Sequence, residues 1–253
     1  MKYQTCLNCS ETVSKNFCPE CGQKTHTHRL EMKHFILHDL VHGVWHFDKG
    51  IWFTLKETFV RPGQAAVDYI NGKRIRYYNV FYLSLLAIGL NILLSNYADK
   101  FDTSVDVVGG NEEKIINFMD TYAKILLLGI VPIIALNAKL FFKRLHYNLA
   151  EHFIIAGICL LGALIINLLY LVFFLVDLIH PNALYVYLEG ISLVLLFAFP
   201  SYVFFGITRT TYRFFGYFWR MIVFNIFVIL QLLFVLRLIV LVLTGKFTFY
   251  GLI

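Results

Sequence analysis

Long apolar stretches separated by short polar connections dominate the chain from residue 79 to its end. Runs of about 18 or more apolar residues with few charges are typical of membrane-spanning helices. The pattern predicts five spans, at about 79–97, 121–142, 152–177, 183–206 and 219–244. The predicted fold class is therefore an all-α membrane protein, with a five-transmembrane-helix bundle that forms a transmembrane domain over 79–253.

A different pattern precedes the spans, and it predicts interfacial amphipathic helices over residues 30–72. Between 30 and 47, apolar residues fall on one arc of a helix and charged residues and histidines on the opposite arc, when 100° is allotted to each residue. Two shorter helices follow, the second starting near Pro62 and ending at Gly72. Helices of this kind lie in the plane of a membrane surface.

Four histidines recur at every fourth position on the polar arc of the first of these helices. They are His34, His38, His42 and His46. Residues with this spacing stack along one helix face, so neighbouring members can chelate a metal ion or respond together to pH. No H-E-x-x-H pattern accompanies them, and histidines also suit the wet face of a surface helix. We expect the second role, with a second metal site at these four residues as the alternative.

The first 25 residues predict a zinc ribbon. Cys6, Cys9, Cys18 and Cys21 follow the pattern C-x2-C-x8-C-x2-C. Two tight turns can place four thiolates around a tetrahedral Zn²⁺ ion, and a segment this short has almost no apolar core, so the metal must supply most of its folding energy. With Cys159 the count is odd, which favours reduced thiolates over disulfides. A partner-docking platform and a structural cap without a partner both fit this ribbon.

The net charge of +6 is distributed beside the apolar runs rather than in one block. Lys and Arg cluster before span one, between spans two and three, and between spans four and five, whereas the alternate connections carry few. By the positive-inside rule, the N-terminus and the ribbon lie in the cytosol and the C-terminus lies outside. The first 29 residues contain no apolar leader, so we expect an uncleaved N-terminus. Juxtamembrane clusters contact anionic lipids, so membrane lipids and not nucleic acids are the expected partners.

Two charged residues fall inside predicted spans, where charge is costly and suggests function. Glu189 lies in span four and Arg237 in span five, both at a depth of roughly 10 Å from the outer boundary at 1.5 Å per residue. The two spans run antiparallel, so the positions predict an intramembrane ion pair. The alternative is that Arg237 extends toward the outer interface.

Side-chain amides also lie within the spans. They are Asn91, Asn137, Asn167, Asn225 and Gln231. Amides in this setting form hydrogen bonds between helices or line a polar path. Three polar residues of span five, at positions 225, 231 and 237, fall on three different helix faces. They do not form a single stripe, and we therefore expect interhelical hydrogen bonds.

Several motifs resemble those of an uncharacterised family of bacterial polytopic membrane proteins with an N-terminal zinc ribbon. They are CPECGQK at 18–24, D-K-G-x-x-x-T-L-K at 48–56, R-P-G at 61–63 and Y-I-x-G-K-R at 69–74. In that family a proline often follows the last motif, where this chain has Asn79-Val80. The resemblance covers roughly residues 1–95 and implies no particular activity.

No arrangement of nucleophile and base, phosphate-binding glycine loop or paired metal-binding carboxylates is recognisable in the sequence. The leading hypothesis is a non-catalytic protein of the bacterial inner membrane, a scaffold or accessory subunit whose ribbon docks a protein partner at the cytosolic face. A transporter or lipid-handling protein is one alternative, and a water-filled cavity reaching Asn91, Asn137 or Glu189 would favour it. A membrane enzyme with a metal on the His-rich helix is the other.

Overall fold

The computed structural model describes residues 4–25, 29–32, 50–98, 100, 110–179 and 184–245. Its regular elements are the short strands β1 (Gln4–Thr5) and β2 (Thr12–Val13), and the helices α1 (Gly50–Val60), α2 (Pro62–Ile70), α3 (Val80–Ala98), α4 (Asn111–Phe141), α5 (Leu149–Ile179), α6 (Leu184–Thr208) and α7 (Phe214–Thr244). A single 3₁₀ turn, Lys143–Leu145, links α4 to α5. In this part of the chain the fold is helical, with almost no sheet.

Five of these helices, α3 to α7, are long and apolar enough to cross a membrane. They correspond one to one with the five predicted spans. The prediction of a five-helix membrane bundle is thereby confirmed, with longer helices than expected at several ends. The largest difference is α4, which begins at Asn111 rather than near residue 121. Residues 111–120, which the predicted spans left in a connection, form its first turns.

Helix α5 is the centre of the bundle, since α3, α4 and α6 all pack against it. Its sequence is apolar throughout, and small residues allow close approach of its neighbours. A Cβ atom at Gly162 would lie 2.0 Å from the Phe199 ring of α6, and one at Gly157 would lie 3.0 Å from the Phe81 ring of α3. Helix α7 packs mainly on α4 and leaves most of its surface exposed.

Helix α2 packs into the bundle, where we had expected a helix on the membrane surface. It contacts both α6 and α5, and Ala65, Ala66 and Tyr69 are buried in the same core as the spans. Gly63 lies against Gly206 of α6 so closely that a Cβ atom at position 63 would lie 2.7 Å from the Gly206 Cα atom. Glycine at both positions is what permits this crossing of two helices.

The polar connections that we expected on one side of the membrane meet at one end of the bundle. The backbone N–H of Arg144, between α4 and α5, donates to the Tyr212 hydroxyl between α6 and α7 at 3.2 Å. Residues 4–25 also contact this end, near the start of α3. We call residues 4–25 the Cys module and this end of the bundle the module-side end.

Candidate metal centre and its attachment to the bundle

The Cys module consists of two hairpins with the same local structure, offset by 12 residues. In the first, the Cys6 N–H donates to Glu11 O and the Ser10 N–H donates to Cys6 O. In the second, Cys18, Gln23 and Gly22 repeat both bonds. The strand pairing Thr5 with Thr12 likewise recurs as the bridge between Phe17 and Lys24. The predicted pair of tight Cys turns is therefore present.

Each hairpin turns through one residue with a left-handed backbone. Gly22 has φ +74°, and Ser10, at the equivalent place in the first hairpin, has φ +67°. Glycine adopts this conformation at little cost, whereas serine adopts it less readily. After the turn, the Glu11 backbone forms a hydrogen bond with the Cys9 sulfur and the Gln23 backbone forms one with the Cys21 sulfur.

The four cysteines come together in space. The Cys6 and Cys21 Sγ atoms are 3.5 Å apart, as are those of Cys9 and Cys18, and all four lie within 4.8 Å of one another. A tetrahedral ion with metal–sulfur bonds of about 2.3 Å requires sulfurs about 3.8 Å apart. The four sulfurs therefore fit a four-coordinate metal ion, and the donor set predicted from the sequence is assembled.

The environment of Cys21 favours its thiolate. Burial opposes ionisation, but hydrogen bonds from the Asn8 side chain and the Gln23 backbone, together with the neighbouring Cys6 and Cys9 thiols, lower the pKa of Cys21 to about 6. Metal ions bind thiolates rather than thiols. Within the same cluster, a Glu11 backbone hydrogen bond lowers the pKa of Cys9, but burial and the hydrogen bonds with the other three cysteines outweigh it and raise that pKa, so the two thiols favour opposite protonation states.

Gln23 fastens the second hairpin to the turn between α2 and α3. Its side chain is 4% exposed, its Nε2 donates to Gly72 O at 2.5 Å, and its Oε1 accepts a hydrogen bond from the Ile75 N–H at 3.4 Å. A buried side-chain amide needs partners for both its donor and its acceptor. Here the backbone of the bundle supplies both, so this contact depends on the correct fold of the module.

Asn8 fastens the first hairpin. Arg76 donates from Nε to Asn8 Oδ1 at 2.7 Å and from Nη2 to Asn8 O at 2.9 Å. Arg76 belongs to the basic cluster before span one, for which the sequence predicted only contacts with lipids. Both hairpins of the module thus bind the segment between α2 and α3, one through a backbone turn and one through an arginine.

The segment that follows the Cys module also binds the bundle, through a bidentate ion pair with the start of α5. Arg29 donates to both carboxylate oxygens of Glu151, at 2.6 and 2.8 Å. Glu151 in turn forms a capping box with Asn148, in which each side chain accepts the other's backbone N–H. Asn148 Nδ2 also donates to Leu30 O at 2.6 Å. This ion pair was not predicted from the sequence, in which its two residues lie 122 positions apart.

A second group of polar contacts holds α1, α2 and the start of α3 together. Arg61 pairs with the buried Glu57 at 2.7 Å, and Lys73 pairs with Asp68 at 3.0 Å. The Tyr77 hydroxyl contacts Asp68 Oδ2 at 3.3 Å. Arg61 and Lys73 belong to the motifs noted above, and Glu57 and Asp68 adjoin them. These motifs therefore have a role in packing.

Two more motif residues contact the backbone at the start of α3. Thr54 Oγ1 accepts a hydrogen bond from the Tyr78 N–H at 2.7 Å, and the Thr54 residue is 2% exposed. A Cβ atom at Gly50 would lie 3.2 Å from the Tyr78 backbone nitrogen. The glycine and the threonine of D-K-G-x-x-x-T-L-K thus position the backbone that enters the first span.

The remaining predicted site residues lie elsewhere. The four histidines fall outside the described residues. Glu189 and Arg237 are described, both are exposed, and neither belongs to an ion pair within the described part of the chain. The ion pair is not formed between these residues in the structure, and the alternative that Arg237 extends toward the outer interface stays a prediction.

The amides of the spans do bond between helices, as expected. Asn167 Nδ2 donates to Asn91 Oδ1 at 2.8 Å and links α5 to α3, and Asn137 Nδ2 donates to Gln231 Oε1 at 2.5 Å and links α4 to α7. Asn225 Nδ2 lies 3.4 Å from Ser201 Oγ of α6. The prediction of interhelical hydrogen bonds is confirmed.

Some of these amides also border a cavity of about 400 Å³ inside the bundle. Residues of α3 to α7 line it, most of them apolar, with Asn91, Asn167 and Asn225 among them. Helices α6 and α7 both border the cavity and make few contacts with each other. The sequence did not predict this space, because the apolar residues around it have the same composition as a filled core.

Comparison with known families adds one finding. Residues 48–88 match a family described as a protein of unknown function (DUF3667). This segment contains α1, α2 and the beginning of α3, and therefore the residues that anchor Gln23 and Asn8. The chain matches no curated protein and no solved structure. In this segment the chain is similar to an uncharacterised family, and that similarity carries no activity with it.

Proposed function

We propose that this protein is a non-catalytic scaffold or accessory subunit of a bacterial inner membrane, which docks a protein partner at the cytosolic face through its zinc-bound Cys module. The observation that carries the proposal is the fixed position of a module with exposed apolar side chains. Gln23 and Asn8 hold the module against the bundle, while Phe17 is 55% exposed. A preorganised aromatic side chain lowers the entropic cost of binding a partner.

The ligand set supports zinc in a structural role. Four thiolates favour zinc among the common biological cations and fill its coordination shell. A closed shell has no open position for water or substrate. The zinc would therefore hold the two hairpins in place, and recognition would fall to the surface around Phe17.

The distribution of charge supports the orientation. The connections rich in Lys and Arg meet at the module-side end, and the module is attached there. The positive-inside rule assigns such an end to the cytosol. The C-terminus would then lie outside, after the fifth span.

Site-specific photo-crosslinking in cells tests the docking role. A photoreactive phenylalanine at position 17 should crosslink to a discrete protein, and the Cys6→Ser/Cys21→Ser change should abolish that product. The control is the same residue at position 52, where Trp52 is 80% exposed on α1. Crosslinks at both positions to the same mixture of proteins, or at neither, would contradict a docking surface at the module.

The cavity favours a second candidate function, the binding of a lipid acyl chain or a similar elongated apolar ligand. Its volume of about 400 Å³ lies in the range of small-molecule sites, and its lining is mostly apolar with a few amides. It reaches Asn91, and its mostly apolar lining suits a lipid chain better than the water-filled cavity considered from the sequence.

Filling the cavity distinguishes this candidate. Leu160 lines the cavity, whereas Leu169, on the same helix, is 53% exposed. In mass spectra of gently purified protein, Leu160→Trp should lose a retained lipid that the unaltered chain and Leu169→Trp both keep. Equal lipid retention in all three proteins would exclude a ligand in the cavity.

A further inference from the structure

A second cavity, of about 330 Å³, lies at the module-side end where four segments of the chain meet. Leu7 of the first Cys hairpin, Arg29 of the segment after the module, Arg74 of the turn before α3 and His146 of the turn before α5 all border it. Segments so distant in sequence form a cavity only in the folded protein. The docking of the module therefore completes this space.

Arg29 is held at this cavity in a fixed position. Glu151 binds its Nε and Nη2, and Nη2 also donates to His146 O at 3.1 Å. The side chain is nevertheless 61% exposed, and its Nη1 hydrogens have no partner among the described residues. A guanidinium that is fixed on one edge and open on the other can bind an anion without further ordering.

Arg74 supplies a second positive charge. It borders the same cavity, and its guanidinium lies 5.8 Å from the centre of the Tyr69 ring. Its backbone is fixed, because the Arg74 N–H donates to Gly72 O and the Tyr77 N–H donates to Arg74 O. The Gly72 carbonyl also accepts from Gln23 of the module. The position of Arg74 thus depends on the docked module.

The charges around the cavity favour an anion. Glu151 is the acidic residue of the lining, and both of its oxygens are already bound by Arg29. Lys143 and Arg144 lie exposed in the adjoining turn. The cavity also borders the first residues of a membrane span, where the head groups of a bilayer lie.

We propose that this cavity binds a phosphate group through Arg29 and Arg74, either the phosphate of a membrane phospholipid or a soluble phosphate. A phosphate oxygen can accept two hydrogen bonds from one guanidinium edge, as carboxylates do. This binding site is additional to the proposed docking role and does not depend on it.

The test uses the full-length protein with metal bound, in a neutral detergent, and measures binding of two probes by isothermal titration calorimetry. The probes are inorganic phosphate and short-chain phosphatidic acid. We expect saturable binding of at least one of them. Arg74→Gln should weaken that binding about tenfold or more, since it removes a charged hydrogen-bond donor. Lys143→Gln is the matched control, because it removes the same charge from the same surface outside the cavity lining.

The outcomes separate the sources of the phosphate. Binding of phosphatidic acid alone identifies a lipid head group, and comparable binding of both probes identifies a site open to soluble phosphate. Equal weakening by Arg74→Gln and Lys143→Gln would show a diffuse surface attraction and overturn the proposal. Absence of saturable binding for both probes would overturn it as well. Thermal unfolding of each variant without probe confirms that the fold is intact.

Discussion

At the scale of single residues, the contact between Gly63 and Gly206 brings the backbones of two helices close together. A methyl group at position 63 would lie 2.7 Å from both the Gly206 Cα atom and the Val203 carbonyl oxygen, closer than atoms can approach. Gly63→Ala should therefore lower the free energy of unfolding by about 1–3 kcal/mol through overpacking. The measurement is thermal unfolding of the purified protein in detergent.

Gly89 provides the matched control for that substitution. It is also a helical glycine, on the exposed side of α3, and a Cβ atom there would meet no atom within 4 Å. Gly89→Ala should leave stability unchanged or raise it slightly, because alanine favours the helix. An equal loss of stability in both variants would mean that the close approach of α2 and α6 is not the cause.

A second prediction at this scale concerns Asp68 and pH. Burial opposes its ionisation, but hydrogen bonds from Lys73 and Gln64 and the charge of Lys73 hold the pKa of Asp68 below its usual range. Because its folded-state pKa is lower than the unfolded value of about 3.9, its stabilisation is present above that pH and is lost as pH falls through the folded pKa. Asp68→Asn should therefore destabilise the protein by about 1–3 kcal/mol at pH 5–8.

The pH profile of unfolding checks this assignment. The difference in stability between the unaltered protein and Asp68→Asn should stay constant from pH 8 to pH 5 and shrink below about pH 4. Glu189→Gln is the control, since Glu189 is exposed and forms no ion pair within the described residues. A difference that already disappears near neutral pH would contradict a lowered pKa for Asp68.

Local spacing explains which site residues could be predicted and which could not. The four cysteines lie within two short turns, so their pattern alone fixes the ligand set. Arg29 and Glu151 are 122 positions apart, and no local pattern links them. The N-x-x-E sequence that begins at Asn148 predicts a capping box before an apolar run. It does not predict which arginine binds the Glu151 carboxylate.

At the scale of elements, the Cys module and the turn before α3 form one unit, so loss of the metal should disturb both. We expect about one zinc per chain by elemental analysis. Removing it with a chelator should speed hydrogen exchange within residues 4–25 and at Ile75, whose N–H donates to Gln23. The centre of α7, remote from the module, should exchange at an unchanged rate.

Substitutions identify the source of that metal. Cys6→Ser/Cys21→Ser should abolish metal binding, and Cys159→Ser should not, because Cys159 is buried in the bundle and is not one of the four clustered thiols. A metal ion that survives replacement of all four clustered cysteines would instead indicate a second site and revive the histidine alternative.

Element boundaries show where periodicity carries information and where it does not. The five long helices were predictable because a membrane span needs an apolar run of nearly fixed length. The early start of α4 at Asn111 was not, since its first turns are polar and can form a helix outside the membrane. The amphipathic pattern of α2 indicated a buried face, but bilayer and bundle are both apolar, so the pattern alone does not distinguish them.

At the scale of the whole molecule, the arrangement of charges predicts how the protein crosses the membrane. Lys100 lies just beyond the end of α3, opposite the module-side end, and Thr210 lies in the connection between α6 and α7. Both residues are exposed. By the positive-inside rule, the Lys and Arg clusters predict that the Thr210 side faces the cytosol. A membrane-impermeant maleimide should therefore label Lys100→Cys in intact cells, and Thr210→Cys only after permeabilisation.

The native cysteines leave this measurement interpretable. Four of them belong to the Cys module, which shares the Thr210 side, and Cys159 is buried, so the unaltered chain should give no labelling in intact cells. Labelling of Thr210→Cys but not of Lys100→Cys in intact cells would show that the topology is the opposite of the predicted one. The module would then face an oxidising compartment, where four reduced thiolates are difficult to maintain. The topology experiment thus tests the orientation and the proposed zinc site together.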